Sequence, residues 1–258
     1  MNKGGNLMIT DSFDIQGKPI VNLSDFYGEQ QFKVEVCLIT YSKEIYDDIL
    51  RENKCEKIGE IKASNGAFPI YKFIYKGKAV AFYLSAIGST LASQYCMICN
   101  WITGATKFVM FGSAGSLDSE RTFNKFIIPT HSYRDEGMSY HYAPPSDYIK
   151  VKNANKLAEV FNKLALPFIE GKVWTTDAVL RETNTHYNTR KKEGCIAVDM
   201  ELAGVQAVCD FHGFELFNFL VTGDVLSEET YNVDGLKEAN HNIDKFHVAM
   251  NIIEELDL

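Results

Sequence analysis

Residues 78–112 read KAVAFYLSAIGSTLASQYCMICNWITGATKFVMFG, and this stretch decides the fold class. Its two ends, 78–88 and 107–112, are apolar runs rich in β-branched and aromatic residues, which is typical of buried strands. Between them, residues 89–104 carry a helical pattern, with Ser89 and Thr90 as possible N-caps and Gly104 just past the end. A strand, a helix and a second strand in this order predict a parallel strand pair with the helix packed against it.

The same alternation continues along the chain in both directions. Further strand patterns lie at 32–40, 69–77, 124–133, 171–178 and 214–223, and further helical patterns at 42–53, 151–166, 201–213 and 240–256. Tight-turn segments between some of the strands indicate a few antiparallel neighbours. We therefore expect an α/β fold in which a mixed, largely parallel central β-sheet is flanked by helices.

The composition is that of an ordinary globular protein. The chain has 258 residues, of which 46% are hydrophobic and 23% charged, and its net charge is −8. That negative charge disfavours sequence-independent nucleic-acid binding, which needs a basic face. No apolar run approaches the roughly 18 residues that span a bilayer, and the first residues lack the apolar stretch of a secretory signal. We expect one domain over 1–258, with an N-terminal extension over 1–30, in the cytoplasm and away from membranes.

The cysteine and histidine patterns do not indicate a metal site. Cys96 and Cys99 form a single C-x-x-C that has neither a second such pair nor a histidine nearby, which disfavours zinc. The pair also falls in the middle of a predicted helix, whereas a redox pair begins a helix after a strand. His241 and His247 are expected on the exposed side of the last helix. We predict reduced, buried thiols and no metal.

Polar or glycine-rich segments stand at the ends of several predicted strands and at one helix start. They are Gly88-Ser89-Thr90, Gly112-Ser113-Ala114-Gly115, Asp199-Met200-Glu201 and Gly223-Asp224. In parallel α/β sheets, ligands bind beyond the carboxyl ends of the strands. The sequence therefore predicts a ligand site at one edge of the sheet.

Each segment also has an ordinary structural explanation. The glycine turn in FGSAGSL (111–117) can direct N–H groups at an anion, or it can simply connect a strand to a loop. Asp199 and Glu201 suit a helix start, but partly buried carboxylates also need donors, which sugar hydroxyls would supply. Asp224 is either a turn residue or a general acid in a half-apolar cleft. His141 is equally a ligand contact or a structural histidine.

Taken together and in this order, these segments resemble the nucleoside phosphorylase/nucleosidase superfamily, whose members cleave the N-glycosidic bond of nucleosides. VDMELAGVQAV (198–208) resembles the family's ribose-binding V-E-M-E-x-A signature, and FGSAGSL its phosphate-side turn. VTGD (221–224) resembles the segment that carries the catalytic aspartate of purine-specific members. RDEGMSYHYAPPSDY (134–148) resembles a segment of uridine phosphorylase-like members, and VWTTDAVLRET (173–183) the base-side strand and its loop.

The resemblance implies a role for each matching position. Asp224 would protonate or hydrogen-bond N7 of a purine. Met200 would pack under the ribose and Glu201 would hold its hydroxyls, with Asp199 beside them. The other implied contacts are Gly88, Ser89, Thr90 and Ser113 to phosphate, and Thr175, Thr176, Val179 and Val198 to the base. Loss of the base leaves an oxocarbenium-like sugar, so the reaction needs an acid at the base and an anion or water beneath C1′.

The sequence departs from the family's phosphorylases at the phosphate site. Met110 stands where they carry an arginine two residues before the glycine turn, and TYSKE (40–44) replaces their Gly-Asp-Pro-x-Arg loop. Lys43, Lys62, Arg134 or a neighbouring subunit are candidates for binding phosphate instead. Glu44 lies near where the hydrolytic relatives, the methylthioadenosine/S-adenosylhomocysteine nucleosidases, keep a glutamate that activates water.

The leading hypothesis is a nucleoside phosphorylase that splits a purine nucleoside with inorganic phosphate into the free base and ribose 1-phosphate. Asp224 favours a purine, because uridine-type members lack an acid there. The alternatives are a uridine phosphorylase, a hydrolytic nucleosidase and a nucleoside-binding protein without catalysis. No cofactor is implied beyond phosphate as co-substrate, and the resemblance implies a homodimer or homohexamer.

Overall fold

The computed structural model describes residues 8–258, so residues 1–7 of the predicted extension lie outside the described part. The strands are β1 Val36–Thr40, β2 Glu56–Ala63, β3 Gly66–Tyr75, β4 Lys78–Leu84, β5 Lys107–Ser116, β6 Phe126–Asp135, β7 Tyr148–Lys150, β8 Phe168–Thr176, β9 Cys195–Asp199, β10 Glu215–Leu226 and β11 Tyr231–Asn232. The α-helices are α1 Ser24–Tyr27, α2 Lys43–Glu52, α3 Ser89–Thr103, α4 Ser119–Thr122, α5 Ala154–Lys163, α6 Asn184–Lys192, α7 Leu202–His212, α8 Leu236–His241 and α9 Asp244–Glu255. None of these described helices is long and apolar enough to cross a membrane.

The strands form one mixed sheet that closes on itself at one end. Their order is β11-β10-β6-β8-β9-β5-β1-β4-β3-β2, with β7 beside β6. Because β5 also pairs in parallel with β10, the strands β10, β6, β8, β9 and β5 form a closed ring. The predicted α/β class and mixed sheet are confirmed. Antiparallel pairing is more extensive than the sequence indicates, because the ring closes through β5–β9 and β6–β10 and because β2, β3 and β4 form a meander.

Helices cover both faces of this sheet. Along β1, Val36 and Leu38 pack into one buried cluster with α2, α5 and α9, whereas Cys37 and Ile39 pack into another with α3 and α7. This alternation follows from the strand period of two, which directs successive side chains to opposite faces. The strand is buried along its whole length, which explains why its sequence is continuously apolar.

Several elements differ from the sequence prediction. The strand predicted at 107–112 continues to Ser116, and the strand at 214–223 continues to Leu226, because their second halves pair with each other in parallel. The single helix predicted at 240–256 is two helices, α8 and α9. They are separated at Asn242, whose side-chain oxygen accepts a hydrogen bond from the backbone of Asp244 at 2.8 Å. Seven further elements were not predicted from the sequence, namely β2, β7, β9, β11, α1, α4 and α6.

All six cysteines are free, in agreement with the prediction. Cys96 and Cys99 lie in the middle of α3, where each contacts a cysteine of another element. The Sγ atoms of Cys96 and Cys209 are 3.9 Å apart, and those of Cys99 and Cys37 are 3.4 Å apart. Burial raises the pKa of the Cys37 and Cys96 thiols well above the ordinary value. Only Cys55, of the six, is partly exposed.

Candidate active site

A cavity of about 450 Å³ lies where β1, β5, β9 and β10 end beside α8. This volume is that of a small-molecule site. Its wall includes Thr40 at the end of β1, the strand residues Met110 to Gly115 of β5, and Val198 to Glu201 at the end of β9. The predicted edge of the sheet therefore carries a cavity built from the segments that the sequence analysis singled out.

The cavity has two ends with different chemistry. Asn218 of β10 pairs with Met110 of β5, and Asp224 pairs with Gly115, so the two pairs are about 16 Å apart at 3.3 Å per residue. The acidic end is lined by Val179, Glu182, Val198, Asp224 and Tyr231. The α8 end is lined by Ser42, Met110, Ser113, Asn218, Asn240, His241 and Lys245.

Glu201 lies on the wall between these ends and is held by the start of α3. Its Oε1 accepts a hydrogen bond from the backbone N–H of Gly88 at 2.8 Å. Gly88 has φ +99°, a conformation that favours glycine at this position. Burial, followed by the charge of Asp199, raises the pKa of Glu201 to about 8. A fixed carboxyl group of this kind accepts hydrogen bonds from ligand hydroxyls.

Asp199 reaches the cavity, but its oxygens are engaged by the protein. They accept hydrogen bonds from the Thr175 hydroxyl at 2.5 Å and from the backbone N–H groups of Glu201 and Leu202 at 3.1 and 2.8 Å. Burial raises the pKa of Asp199 to about 6 despite these bonds, of which the one from Thr175 opposes the shift most. The geometry is that of a carboxylate capping the start of α7.

The acidic end brings two carboxyl groups together. Burial, and then the charges of Asp224 and Asp135, raise the pKa of Glu182 to about 7. Burial and a hydrogen bond to Asp224 raise the pKa of Tyr231 to about 12, so the phenol stays protonated. Near neutral pH Glu182 is therefore protonated for part of the time, and it lies close enough to Asp224 for the two side chains to interact at this end of the cavity.

The α8 end is made of hydroxyls, amides and one ammonium group. The Ser113 hydroxyl hydrogen-bonds to Oδ1 of Asn240, and the Ser42 hydroxyl lies 2.8 Å from Nδ1 of His241. Nζ of Lys245 donates to the backbone carbonyls of Ala239 and Asn240. Burial lowers the pKa of Lys245 to about 8.

Several residues proposed from the sequence meet at this cavity, and others do not. Those that line it are Ser113, Val179, Val198, Asp199, Met200, Glu201 and Asp224. Gly88 contacts it through Glu201, whereas Ser89 is buried beneath, with its hydroxyl accepting from the backbone of Gly204 at 3.1 Å. Thr90 is exposed. Thr175 bonds to Asp199, and the Thr176 hydroxyl accepts from the backbone of Ala178 at 3.1 Å. The roles implied by resemblance stay predictions.

The three further candidates lie away from the cavity wall. Glu44 is exposed over 63% of its side chain, and its carboxylate is 3.8 Å from Nε2 of His241. The buried Arg134 donates to the Ser139 hydroxyl at 2.8 Å and the Pro144 carbonyl at 2.7 Å, so it fixes the loop that follows β6. His141 lies in this loop and is exposed.

Six further residues line the cavity although the sequence did not indicate them, namely Glu182, Asn218, Tyr231, Asn240, His241 and Lys245. The prediction that His241 is exposed on the last helix was wrong. His241 is the last residue of α8 and contacts Ser42, because the helix ends before Asn242 and the side chain of His241 turns inward. His247 is exposed, as predicted. The polar run Asn240-His241-Asn242 is the one sequence signal of this break. Within residues 8–258 no group of three or more His, Cys, Asp or Glu side chains is arranged to hold a metal ion.

Comparisons with known proteins agree on one family. The family model of the phosphorylase superfamily matches residues 35–252. A DeoD-type purine nucleoside phosphorylase of Colwellia psychrerythraea is 26% identical over 189 residues, which cover 71% of this chain and 77% of that protein. A 5′-methylthioadenosine/S-adenosylhomocysteine nucleosidase of Buchnera aphidicola is 28% identical over 179 residues, covering 66% and 72%. The structure of such a nucleosidase from Campylobacter jejuni shares the fold, with a TM-score of 0.68 at 19% identity over 87% of this chain and all of the other.

Proposed function

This chain belongs to the phosphorylase superfamily, and from that membership we propose that it splits a purine nucleoside with inorganic phosphate into the base and ribose 1-phosphate. The observation that carries the proposal is that the carboxyl groups of Glu201 and Asp224 line the same cavity. One would hold the ribose and the other would serve the base. The cytoplasmic location, the lack of a cofactor and self-association stay predictions from the sequence.

The proposed reaction places the base at the acidic end. As the N-glycosidic bond breaks, its electron pair moves onto the base, and a hydrogen bond or proton from Asp224 stabilises it. Glu201 accepts hydrogen bonds from the ribose hydroxyls while C1′ becomes cation-like, and Met200 packs against the sugar. A phosphate oxygen then attacks C1′ from the α8 end and completes ribose 1-phosphate.

The choice of phosphate over water rests on the α8 end. A nucleosidase of the kind considered above needs a carboxylate that activates water, and Glu44 is exposed and absent from the cavity wall. The α8 end instead presents hydroxyl, amide and ammonium groups, which suit an oxyanion. Hydrolysis remains the second candidate, because no arginine lines the described cavity wall and because one relative is named as a nucleosidase.

The reverse reaction separates the two candidates. We expect the protein to form inosine and inorganic phosphate from hypoxanthine and ribose 1-phosphate, because phosphorolysis conserves the energy of the glycosidic bond in the sugar phosphate. A hydrolase that yields free ribose does not catalyse this synthesis. Absence of inosine in the reverse assay, together with release of ribose from inosine, would overturn the proposal in favour of hydrolysis.

A further inference from the structure

We propose that Lys245 supplies the positive charge that binds phosphate at the α8 end. It would replace the arginines that the family's phosphorylases carry at the positions of Met110 and residues 40–44. The inference rests on the proposed function, because it names the group that holds the co-substrate. It also moves the anion site toward the two C-terminal helices, whereas the resemblance implied phosphate contacts at Ser113 and Gly88-Ser89-Thr90, with Lys43, Lys62, Arg134 or a neighbouring subunit as candidates for the missing charge.

Lys245 is buried in a way that leaves its charge without a partner. The residue is 1% exposed and lines the cavity, and it is the only Lys or Arg on the described wall. Among residues 8–258 it forms no ion pair. Its Nζ donates to two backbone carbonyls, and an ammonium has three protons, so one donor is available to a ligand. A buried charge of this kind is costly unless an opposite charge binds beside it.

The groups around Lys245 complement a tetrahedral oxyanion. Because the Ser113 hydroxyl bonds to Oδ1 of Asn240, the amide nitrogen of Asn240 is left as a donor. Asn218 is fully buried, and its nitrogen donates to the Met110 carbonyl at 3.1 Å. Its Oδ1 has no partner in the described structure. This oxygen can accept a hydrogen bond from the P–OH group of a singly protonated phosphate. A halide or a carboxylate has no such donor.

The carboxyl groups of the cavity do not prevent an anion from binding. Glu182 and Glu201 have pKa values raised to about 7 and 8, so each is protonated for an appreciable part of the time near neutral pH. Asp224 pairs in register with Gly115, at the opposite end from the Met110–Asn218 pair. Asp199 also lines the cavity, but its oxygens are held by Thr175 and by the start of α7, and Lys245 is the one Lys or Arg that the described wall presents to an anion.

The competing explanation is that Lys245 only stabilises the end of α8. Its two carbonyl acceptors, Ala239 and Asn240, belong to the last turn of that helix, where a cation is favourable. Under that explanation, loss of the charge lowers stability without a selective effect on phosphate. The two explanations differ in ligand binding, which can be measured without turnover.

The test measures binding of inorganic phosphate and, separately, of inosine to the full chain by calorimetry. Lys245→Gln keeps a donor to the carbonyls but removes the charge, and we expect it to weaken phosphate binding at least 10-fold while inosine affinity stays within about twofold. Lys245→Arg restores phosphate binding, and Lys237→Gln, on the exposed side of α8, leaves it unchanged. Asn240→Asp keeps the acceptor for Ser113 and adds a negative charge, so it weakens phosphate binding even if Lys245→Gln fails to fold.

Unchanged phosphate affinity in Lys245→Gln, or in Asn240→Asp if the first variant does not fold, would overturn the inference, as would an equal loss of phosphate and inosine binding. The result is separable from the proposed function. Phosphate bound through Lys245 without any phosphorolysis would refute the function and leave the site. Phosphorolysis with an unchanged phosphate KM in Lys245→Gln would refute the site and leave the function.

Discussion

At the residue scale, the site depends on carboxyl groups held away from water. Glu201 accepts a hydrogen bond from the Gly88 N–H and lines the cavity, and its burial raises the pKa because it opposes the charged form. Such an arrangement favours ligand binding over stability, because the carboxylate gains most of its hydrogen bonds only when a ligand arrives.

Replacing Asp224 by asparagine should lower nucleoside cleavage by about 10²–10⁴-fold, because the side chain can still form a hydrogen bond but can no longer transfer a proton. The kcat for inosine measures this effect. Asp234→Asn is the matched control, since Asp234 is an exposed carboxylate that follows β11 outside the cavity. Equal rates for Asp224→Asn and the parent protein would exclude the acid role.

Replacing Glu201 by glutamine should reduce activity and raise stability at alkaline pH. The folded pKa of about 8 lies above the unfolded value of about 4.3, so the protonated side chain stabilises the fold at low pH and this contribution disappears as the pH rises to 8. The glutamine does not titrate. We expect equal Tm values near pH 4 and a Tm for Glu201→Gln that is higher by roughly 10 °C at pH 9, because a pKa rise from about 4.3 to about 8 corresponds to about 5 kcal/mol, which is lost as the pH rises between these two values.

Thermal unfolding of both proteins without ligand at the two pH values measures this difference. Glu228→Gln, an exposed glutamate, should show no pH-dependent change in Tm relative to the parent protein. A Glu201→Gln variant that is less stable at pH 9 than at pH 4, relative to the parent, would contradict the assigned burial.

Part of the site was predictable from local sequence and part was not. Asp199, Met200 and Glu201 are contiguous, and Asp224 follows a buried strand, so short motifs locate them. Glu182, His241 and Lys245 reach the cavity only through tertiary packing, and the pattern of α9 marks Lys245 as just another polar position. The ammonium group of Lys245 is held by backbone carbonyls, which every residue type has, so the neighbouring sequence contains no pattern that predicts its burial.

At the element scale, β10 and α8 approach each other closely through glycine. A Cβ atom on Gly223 would lie 2.8 Å from Cβ of Ala239 and 3.0 Å from Cα of Leu236. One on Gly235 would lie 2.6 Å from the carbonyl oxygen of Gly223. This contact sets the position of Asn240 relative to Ser113 and thereby shapes the α8 end.

Gly223→Ala should push α8 away from the sheet and cost about 1–3 kcal/mol of stability, the usual effect of overpacking. Phosphate binding should weaken more than inosine binding, because α8 carries Asn240 and His241, which line the α8 end of the cavity. Gly137→Ala is the control, since its added Cβ would meet only one side-chain atom at 3.4 Å. Calorimetry measures both affinities, and thermal unfolding measures stability. Equal phosphate affinity and equal stability in Gly223→Ala and Gly137→Ala would contradict this packing.

The elements that the sequence did not reveal are either short or weak in their burial pattern. In β2 only Ile58 and Ile61 face the core, and the rest of the strand is charged or small, so it shows little of the apolar pattern of a strand. β9 is buried along its length but has only five residues. By contrast, α3 and α7 have clear glycine ends at Gly104 and Gly213, both in the left-handed conformation, and were predicted within about two residues.

At the scale of the whole molecule, the packing buries five of the six thiols and leaves one partly exposed. Cys55 is the only partly exposed cysteine, so we expect Ellman's reagent to modify about one thiol of the native protein and six after denaturation. The remaining cysteines should resist the reagent because they are buried. Cys55→Ser should abolish the native reaction, and several rapidly reacting thiols would contradict the described packing.

The closed ring of strands could not be predicted either, because it depends on long-range pairing of β5 with β10, which lie about a hundred residues apart. This pairing brings Ser113 and Asp224 onto the same wall, and it makes one cavity from segments that are distant in sequence. The proposed function is a property of that whole arrangement.

The most direct test is the cleavage of inosine with and without inorganic phosphate. We predict that hypoxanthine forms only when phosphate is added, that ribose 1-phosphate appears in equal amount, and that the rate saturates with phosphate. Cleavage at the same rate without phosphate, with free ribose as product, would contradict the account.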